Sequence, residues 1–581
     1  MTTAGGLLLV LAVLVPFIGM LAGLALGGRN VQRIALLTFV VGIVVAFAAA
    51  QAFVTAGAPV VYLLGGWAPP LGIALRADGL SVVMMVVVAV VVGGILVYAR
   101  ADFGVPAGAP EARAPFTFWL LLLAIWGALN LVFVSGDLFT LYVALELLTF
   151  AGVPMVCLDG KGETLRAALR YLVFALAGSV LYLLGAVLLY GAYGTLDIPL
   201  LAARIRPEPV TWAAAALMTA GLLAKTALFP LHLWLPPAHA GAPAAASAVL
   251  SALVIKGSWF LVVRLWFDVM PGVVTVPSAQ LLGGLGAAAI IVGNIVALQQ
   301  ARLKLLVAYS TVAQIGYLFL MFPLAFDALS GVLVRGDALA GGMLQAVSHA
   351  TAKAAMFMAA GLVYKAYGHD RIAELAGAAR AVPLTVLTLA LSGVALMGIV
   401  PSGAYLAKKL LLAAAAGTDQ WWWVLVLQGG GALTCGYVVL VLINALRRST
   451  VPVTPETPVP RLQEIAALAL AACSLLLAFA AVGIAPASGN LLKNPLAPEE
   501  IMQTLATVAA GVVIAFGFGR SLPASWASGA TNGLASSTRR ATLAVGAIFE
   551  RADSALRRWE VASIALLVVA VLFGWGMAVA R

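Results

Sequence analysis

The sequence predicts an all-α polytopic membrane protein, and three observations lead to this prediction. Hydrophobic residues make up 63% of the chain, charged residues only 9%, and the mean hydropathy is +1.09; soluble domains carry about 25% charged residues. Apolar segments of about 20 residues, the length that crosses a bilayer, recur along the whole chain. Basic residues concentrate in alternate loops between these segments. This composition disfavours a large soluble helical protein.

The candidate spans follow one another closely. We count about sixteen segments of spanning length, and they begin near residues 5, 31, 79, 115, 137, 166, 210, 244, 278, 304, 338, 381, 421, 462, 501 and 561. The first has no basic leading region and no convincing cleavage site, so we expect a permanent span and not a signal peptide.

The basic charge of the chain indicates topology and not nucleic-acid binding. The net charge is +11, from 33 Lys and Arg residues against 22 Asp and Glu. Most of the loop cations follow odd-numbered spans, for example Arg29 and Arg33 after the first. Cytoplasmic loops carry the excess of Lys and Arg. We therefore expect a multi-pass protein of the bacterial inner membrane with both termini on the non-cytoplasmic side.

The distribution of charged, proline and apolar residues divides the chain into four predicted segments. The loop at 449–461 is rich in proline and cannot be helical. From about Thr538 to Trp559 arginines alternate with apolar residues, which predicts a helix on the membrane surface or a short helix without lipid contact. The predicted segments are three N-terminal spans (1–114), two groups of spans that hold nearly every ionisable residue at membrane depth (115–270 and 271–446) and C-terminal helices (447–581).

The run from residue 222 to 257 places two lysines, Lys225 and Lys256, at membrane depth. An ionisable residue there costs roughly 2.5–3.5 kcal/mol on insertion scales and usually marks an ion pathway. Pro230 breaks the helix just past Lys225, and a broken helix in a membrane lines a cavity or packs inside protein.

Glu146 lies centrally in the fifth span and is the natural partner of Lys225. Burial disfavours a charged lysine and a nearby carboxylate favours it, so a change in the carboxylate switches the lysine between holding and releasing a proton. Lysine does this where arginine cannot. A buried ion pair that only fixes helix packing is the alternative. Tyr142 lies one turn before Glu146 on the same face, and Asp137 either supports the site or caps the helix.

Further ionisable side chains follow at membrane depth. His232 and His239 lie on either side of the break, where they would relay protons or make structural hydrogen bonds. They have no third metal ligand at suitable spacing, and Cys157, Cys435 and Cys473 have no metal-ligand pattern, so we expect no metal.

The second half of the chain repeats the combination of a lysine and a proline break. His349 and Lys353 are four residues apart and share a helix face. In the twelfth span Pro401 precedes Lys408 and Lys409, whose directions differ by about 100°, so one of them is expected to face the core. Spans seven and twelve run in opposite directions, which is typical of an inverted repeat with a broken helix in each copy.

These stretches resemble the antiporter-like membrane subunits shared by respiratory complex I, Mrp-type sodium/proton antiporters and membrane-bound hydrogenases. The matching pieces are, in order, DLFTLYVALE, LLAKTALFPLHLWLPPAHAGAP, VIKG, LKLLVAYSTVAQIGY, SHATAKAAMF and GIVPSGAYLAKKLLL, between about residues 115 and 415. The resemblance implies about fourteen core helices, with broken helices seven and twelve. It also implies two inverted five-helix repeats, each a half-channel, at 115–270 and 271–446. Here an amphipathic segment and about two more spans extend that core.

The resemblance also implies roles. Glu146 would be the helix-five glutamate, Lys225 the helix-seven lysine and Lys256 the helix-eight lysine. His349 and Lys353 would be the helix-eleven pair and Lys408 the helix-twelve lysine, supported by Lys304, Tyr309 and Lys409. Family members carry protons along this axis, so a proton would pass from His232 and His239 through the lysines to Lys408. No cofactor is expected. The partners would be other membrane subunits and protons, with sodium as a further candidate ion.

Two departures bear on the parent complex. Pro237 stands where complex I subunits typically have an acidic residue, which favours the D-type Mrp subunits, and Lys408 disfavours the M-type subunit of complex I. Three classes remain open: an Mrp-type antiporter subunit, a proton-pumping subunit of complex I or a hydrogenase, and a subunit of an inorganic-carbon uptake complex or an inactive scaffold.

Overall fold

The computed structural model describes residues 2–104, 112–328, 330–334, 336–449, 455–480, 497–522 and 534–579. Within these residues fourteen helices are long and apolar enough to cross a membrane. They match fourteen of the predicted spans. The other two predicted spans are interrupted: Pro209–Thr226 is followed by a break, and Pro383–Met397 is separated from Gly403–Gly417. The predicted all-α membrane fold is confirmed.

Contacts divide the chain into two compact units. The first comprises Met1–Ala227, Gly241–Ser278 and Ser563–Arg581. Its helices are α1 (Leu7–Leu26), α2 (Asn30–Ala56), α3 (Gly79–Asp102), α4 (Arg113–Val134), α5 (Leu138–Val156), α6 (Gly162–Tyr193), α7 (Ile198–Arg204), α8 (Pro209–Thr226), α10 (Ala244–Val249) and α11 (Ile255–Arg264), with π-helical turns at Leu250–Val254 and Leu265–Val269.

A short β-hairpin in this unit was not predicted. Strand β1 (Val60–Leu63) pairs antiparallel with β2 (Ala74–Ala77), and Leu63 lies opposite Ala74. Four residues in each strand are too few for the period-two pattern to stand out from the apolar segments around them.

The second unit comprises Leu228–Ala240 and Ala279–Ala562. Its helices are α9 (Leu235–Gly241), α12 (Val276–Gln299), α13 (Leu303–Phe319), α14 (Met321–Leu324), α15 (Gly336–Tyr367), α16 (Ala378–Ala381), α17 (Pro383–Met397), α18 (Gly403–Gly417), α19 (Trp421–Leu446), α20 (Arg461–Ala480), α21 (Pro498–Phe518) and α22 (Leu534–Leu556). The last helix, α23 (Trp559–Val579), belongs to the first unit from residue 563 onward. Short 3₁₀ turns lie at Leu64–Gly66 and Ile372–Glu374.

Both proline breaks lie where the sequence places them. Helix α8 ends at Thr226, Ala227 adopts a left-handed φ of 58°, and α9 begins only at Leu235, so Pro230 lies between helices. In the second unit α17 ends at Met397 and Pro401 precedes α18. Ser402 restarts α18 as its N-cap, because its hydroxyl accepts the Tyr405 backbone N–H at 3.1 Å.

The C-terminal region is only partly as predicted. Residues 455–460 of the proline-rich loop are not helical, and residues 450–454 lie outside the described residues. The amphipathic segment is one helix, α22, which begins at Leu534 and so four residues before the predicted start. Val545 and Ile548 are exposed on its outer side. That this side lies on a membrane stays a prediction.

Arg264 stabilises the first unit at the start of α3. Its guanidinium donates to both carboxylate oxygens of Asp78 at 2.5 and 2.6 Å, to Asp268 at 2.7 Å and to the Ser81 hydroxyl at 2.9 Å. Burial would raise the pKa of Asp78, but the hydrogen bonds and charge of Arg264 outweigh it and lower that pKa to about 2. Asp78 also caps α3 through the Ser81 N–H at 3.0 Å.

We expect Asp78→Ala to destabilise this unit. The substitution removes the cap of α3 and a bidentate partner of Arg264, and hydrogen bonds to charged groups contribute about 1.5–3 kcal/mol each. Thermal unfolding of the purified protein in detergent should show a lower midpoint, with Asp102→Ala at the other end of α3 as the matched control. An unchanged midpoint for Asp78→Ala would show that the network adds nothing to stability.

Candidate functional site

A buried cluster around Lys225 occupies the core of the first unit. The Lys225 Nζ lies 3.1 Å from Glu146 Oε1 and 3.0 Å from Thr149 Oγ1, and it also donates to the Ser179 hydroxyl. Ser179 in turn donates to the same Glu146 oxygen. The Lys225 and Glu146 side chains are only 6% and 15% exposed. The ion pair predicted from the sequence is present, and the structure adds two hydroxyls to it.

Local geometry brings these four side chains together. Glu146 and Thr149 are three residues apart on α5 and share one face. Helices α6 and α8 approach closely at Gly178 and Gly221, where a Cβ on either glycine would clash with the carbonyl oxygen of the other. Only glycine permits this approach, and it brings Ser179 against Lys225.

The other predicted residues of α5 lie near this cluster along the helix. Asp137 is the N-cap of α5, and its carboxylate accepts the backbone N–H groups of Phe139 at 3.0 Å and Thr140 at 2.8 Å. Tyr142 is half-buried one turn before Glu146. Of the two alternatives for Asp137, the structure therefore shows the cap.

Lys256 is fully buried on α11. Its ammonium donates to the Ser251 carbonyl at 2.7 Å, across the π-helical turn at Leu250–Val254. π-helical turns are rare and are frequently found at functional sites.

His232 belongs to a cluster of the second unit that the sequence did not reveal. Its Nε2 lies 2.7 Å from an oxygen of Asp553, and the Tyr309 hydroxyl donates to the other oxygen at 2.7 Å. The Arg557 guanidinium also donates to Asp553, at 2.8 Å. His232 and Asp553 are both about 1% exposed. Asp553 is on α22, the amphipathic helix for which the sequence predicts a place on the surface.

His239 is also in the second unit, with different surroundings. The side chain is fully buried and its ring stacks on Phe357 with centroids 4.6 Å apart. Neither ring nitrogen has a hydrogen-bond partner within the described part of the chain. The predicted structural hydrogen bond is therefore not seen for His239.

His349 and Lys353 lie one turn apart on α15, and both are buried. The Lys353 ammonium donates to the Val307 carbonyl at 3.1 Å and to the Ser310 hydroxyl of α13. Lys304, at the start of α13, donates its backbone N–H to Asp370 at 3.1 Å, and its ammonium lies 5.9 Å from the Tyr364 ring.

The two lysines of α18 face different surroundings. Lys409 pairs with Glu500 of α21 at 2.6 Å. Lys408 lines two small cavities of the second unit, one shared with Lys409 and Glu500 and one with Tyr317 and Gln345. Nothing in the sequence singles out Glu500, because it begins a helix in a segment that is predicted only as a further span.

Both units contain buried side chains that can exchange protons. They include lysine, histidine, carboxylate and hydroxyl groups. Among the residues that the structure describes, no group of three or more His, Cys, Asp or Glu side chains is placed to hold a metal ion.

Comparison with known proteins gives one family. The family model described as "NADH:quinone oxidoreductase/Mrp antiporter, TM" matches residues 135–434. The N subunit of the NADH-quinone oxidoreductase of Desulforudis audaxviator is 36% identical over 356 residues, which cover 61% of this chain and 68% of that protein. The D subunit of the Na(+)/H(+) antiporter of Alkalihalophilus pseudofirmus is 28% identical over 408 residues, or 69% of this chain and 79% of that protein.

Solved structures share the fold. A chain of the Mrp complex from Dietzia sp. aligns with a TM-score of 0.74 at 24% identity, covering 87% of this chain and 100% of that one. A chain of respiratory complex I from Thermus thermophilus aligns with a TM-score of 0.65 at 24% identity, covering 83% and 99%.

Proposed function

Because this chain belongs to the NADH:quinone oxidoreductase/Mrp antiporter transmembrane family, we propose that it is a proton-translocating antiporter-like subunit of a multi-subunit membrane complex, of the Mrp D type. The complex would exchange protons for a monovalent cation. The chain would supply proton transfer, and neighbouring membrane subunits would supply the remaining parts of the transport cycle.

The observation that carries this proposal is the buried Lys225–Glu146 pair directly before the helix break. A purely structural ion pair in a membrane protein needs only two matched charges. Here two hydroxyls, those of Thr149 and Ser179, also contact the ammonium. They can hold the lysine when the carboxylate moves or is protonated, and so permit two charge states. An ionisable group inside the membrane is a functional site by default.

The buried bases of the second unit support a continued pathway. The Lys353 ammonium is buried and contacts uncharged oxygens, those of Val307 and Ser310, and a lysine, unlike an arginine, can give up its proton in a protein. His239 has two ring nitrogens that can accept or give up a proton. We propose that protons pass from the region of His232 and His239 through the buried lysines, and leave near Lys408.

A second candidate is a proton-pumping subunit of an NADH:quinone oxidoreductase, of the N type. The 36% identity to the Desulforudis audaxviator protein favours it. The same lysines would then carry protons, but electron transfer in other subunits would supply the energy for proton transfer. In either case we propose the bacterial inner membrane with both termini on the non-cytoplasmic side, and half-channels at 115–270 and 271–446.

Purification of the native complex in mild detergent would separate the two candidates. We expect co-purifying subunits to be small membrane proteins only, because a secondary antiporter needs no redox centre. Mass spectrometry should identify every subunit, and metal and flavin analysis should accompany it. Subunits that carry iron–sulfur clusters, flavin or nickel would overturn the Mrp assignment and support the redox-driven pump.

A further inference from the structure

The side of helix α22 that carries Thr542, Gly546 and Asp553 packs against the rest of the second unit. The Thr542 hydroxyl donates to the Gly517 carbonyl of α21 at 2.7 Å, and a Cβ at Gly546 would clash with the side chain of Gln299 on α12. Asp553 is on the same side and is buried. These contacts fix α22 along its length and hold the Asp553 carboxylate against the His232 ring.

We propose that Asp553 of α22 is a positioning residue of the proton pathway, which holds the proton-bearing form of His232 in place and so makes α22 part of the transport machinery. The inference rests on the proposed function, because it assigns His232 to the proton path. It goes beyond that function, because it gives a role to a residue that lies outside both predicted half-channels.

The contacts of Asp553 support a charge-dependent role. One oxygen faces His232 and the other accepts from Tyr309. When the imidazole is protonated, its Nε2–H donates to the carboxylate and the two charges balance. When the proton leaves, Asp553 keeps the Arg557 guanidinium as counter-ion at 2.8 Å. The carboxylate therefore has a partner in both states and need not leave the site.

Two further charges near this cluster are Glu550 on α22 and Arg520, which follows α21. Glu550 adds a negative field at Tyr309 and Arg557, and it pairs with Arg520 at 3.6 Å. Burial would raise the pKa of Asp553, but the hydrogen bond and charge of His232, the charge of Arg557 and the hydrogen bond of Tyr309 hold that pKa below its usual value. Asp553 thus stays ionised, as a counter-ion must.

The test is Asp553→Asn in the intact complex, with proton-coupled transport measured against pH in membrane vesicles. Asparagine keeps the size of the side chain and its capacity for hydrogen bonds but not the charge. The variant removes the negative charge that faces the His232 ring, and a nearby opposite charge favours the charged form of a group, so we expect the pH profile of transport to move toward acid by about 1–3 pH units. Asp553→Glu should restore the wild-type profile. Arg551→Gln, exposed on the same helix, should leave it unchanged.

Purification of each variant complex shows whether it assembles. An assembled Asp553→Asn complex with the wild-type profile would overturn the proposal. If the Asp553→Asn complex does not assemble, His232→Gln is measured in its place, since that variant leaves the Tyr309 and Arg557 contacts of Asp553 intact. A wild-type pH profile of the His232→Gln complex would also overturn the proposal. Lys225→Ala is assayed in parallel. Normal transport by Lys225→Ala would refute the proposed function itself. If Lys225→Ala does not transport and Asp553→Asn has the wild-type pH profile, only this inference is rejected.

Discussion

Lys225→Ala is expected to stop proton-coupled transport by the assembled complex. Lys225 is the cation of the buried cluster that also holds Glu146, Thr149 and Ser179. A positioned group that gives and takes a proton contributes about 10²–10⁴-fold to a rate, so we expect a loss of at least about 10²-fold. The measurement is cation-dependent proton flux in inverted membrane vesicles, normalised to the amount of complex.

Charge and proton exchange can be separated at the same position. Lys225→Arg keeps a positive charge beside Glu146, but arginine does not give up its proton in proteins. We expect this variant to assemble normally and still to transport poorly. Lys161→Ala, which removes an exposed lysine that pairs with Asp159 at 3.5 Å, is the matched control and should transport normally. Wild-type flux through assembled Lys225→Arg would mean that Lys225 only balances charge.

The neighbouring lysines of α18 are expected to give opposite results. Lys408 lines cavities inside the second unit, and Lys408→Ala should lower transport by about 10²-fold while the complex stays assembled. Lys409 is paired with Glu500. Lys409→Ala leaves Glu500 buried without its cation, and breaking a buried pair in this way costs about 3–5 kcal/mol, so we expect a lower unfolding midpoint.

A double variant distinguishes a structural role of Lys409 from a transport role. Lys409→Met with Glu500→Leu replaces both charges by apolar groups of similar size, which is often neutral or stabilising. We expect it to recover both the unfolding midpoint and transport. If the stable double variant does not transport, or if Lys408→Ala transports normally, the two lysines have the roles opposite to those assigned.

Several features of the site could be predicted from residue type and spacing alone. Lysine and glutamate are costly in a membrane, so Lys225, Lys256, Lys353 and Glu146 stand out in apolar segments without any structure. Proline in a helix interior removes a hydrogen bond and clashes with the preceding turn, so the breaks at Pro230 and Pro401 could be placed to within a few residues.

The partners of these residues could not be predicted in the same way. Ser179 is one small polar residue on a long apolar helix, and serine at such a position carries no signal of its own. Glu500 begins a predicted span and Asp553 lies on a predicted amphipathic helix, and a carboxylate is ordinary at both kinds of position. Asp553 meets His232 across 321 residues of sequence, and no local pattern reports a contact at that separation.

The amphipathic helix α22 separates what residue patterns can predict from what they cannot. Residue types and their spacing are enough to predict a bundle of membrane helices, the two helix breaks and the membrane depth of Lys225, Lys256, Lys353 and Glu146, because burial of charge and interruption of a helix are local costs. They also predict that α22 is amphipathic. The packing of the helices shows which side is buried: the side with Thr542 and Asp553 lies inside, where His232, Tyr309 and Gly517 are their hydrogen-bond partners, and polar groups are tolerated in a core when such bonds are made.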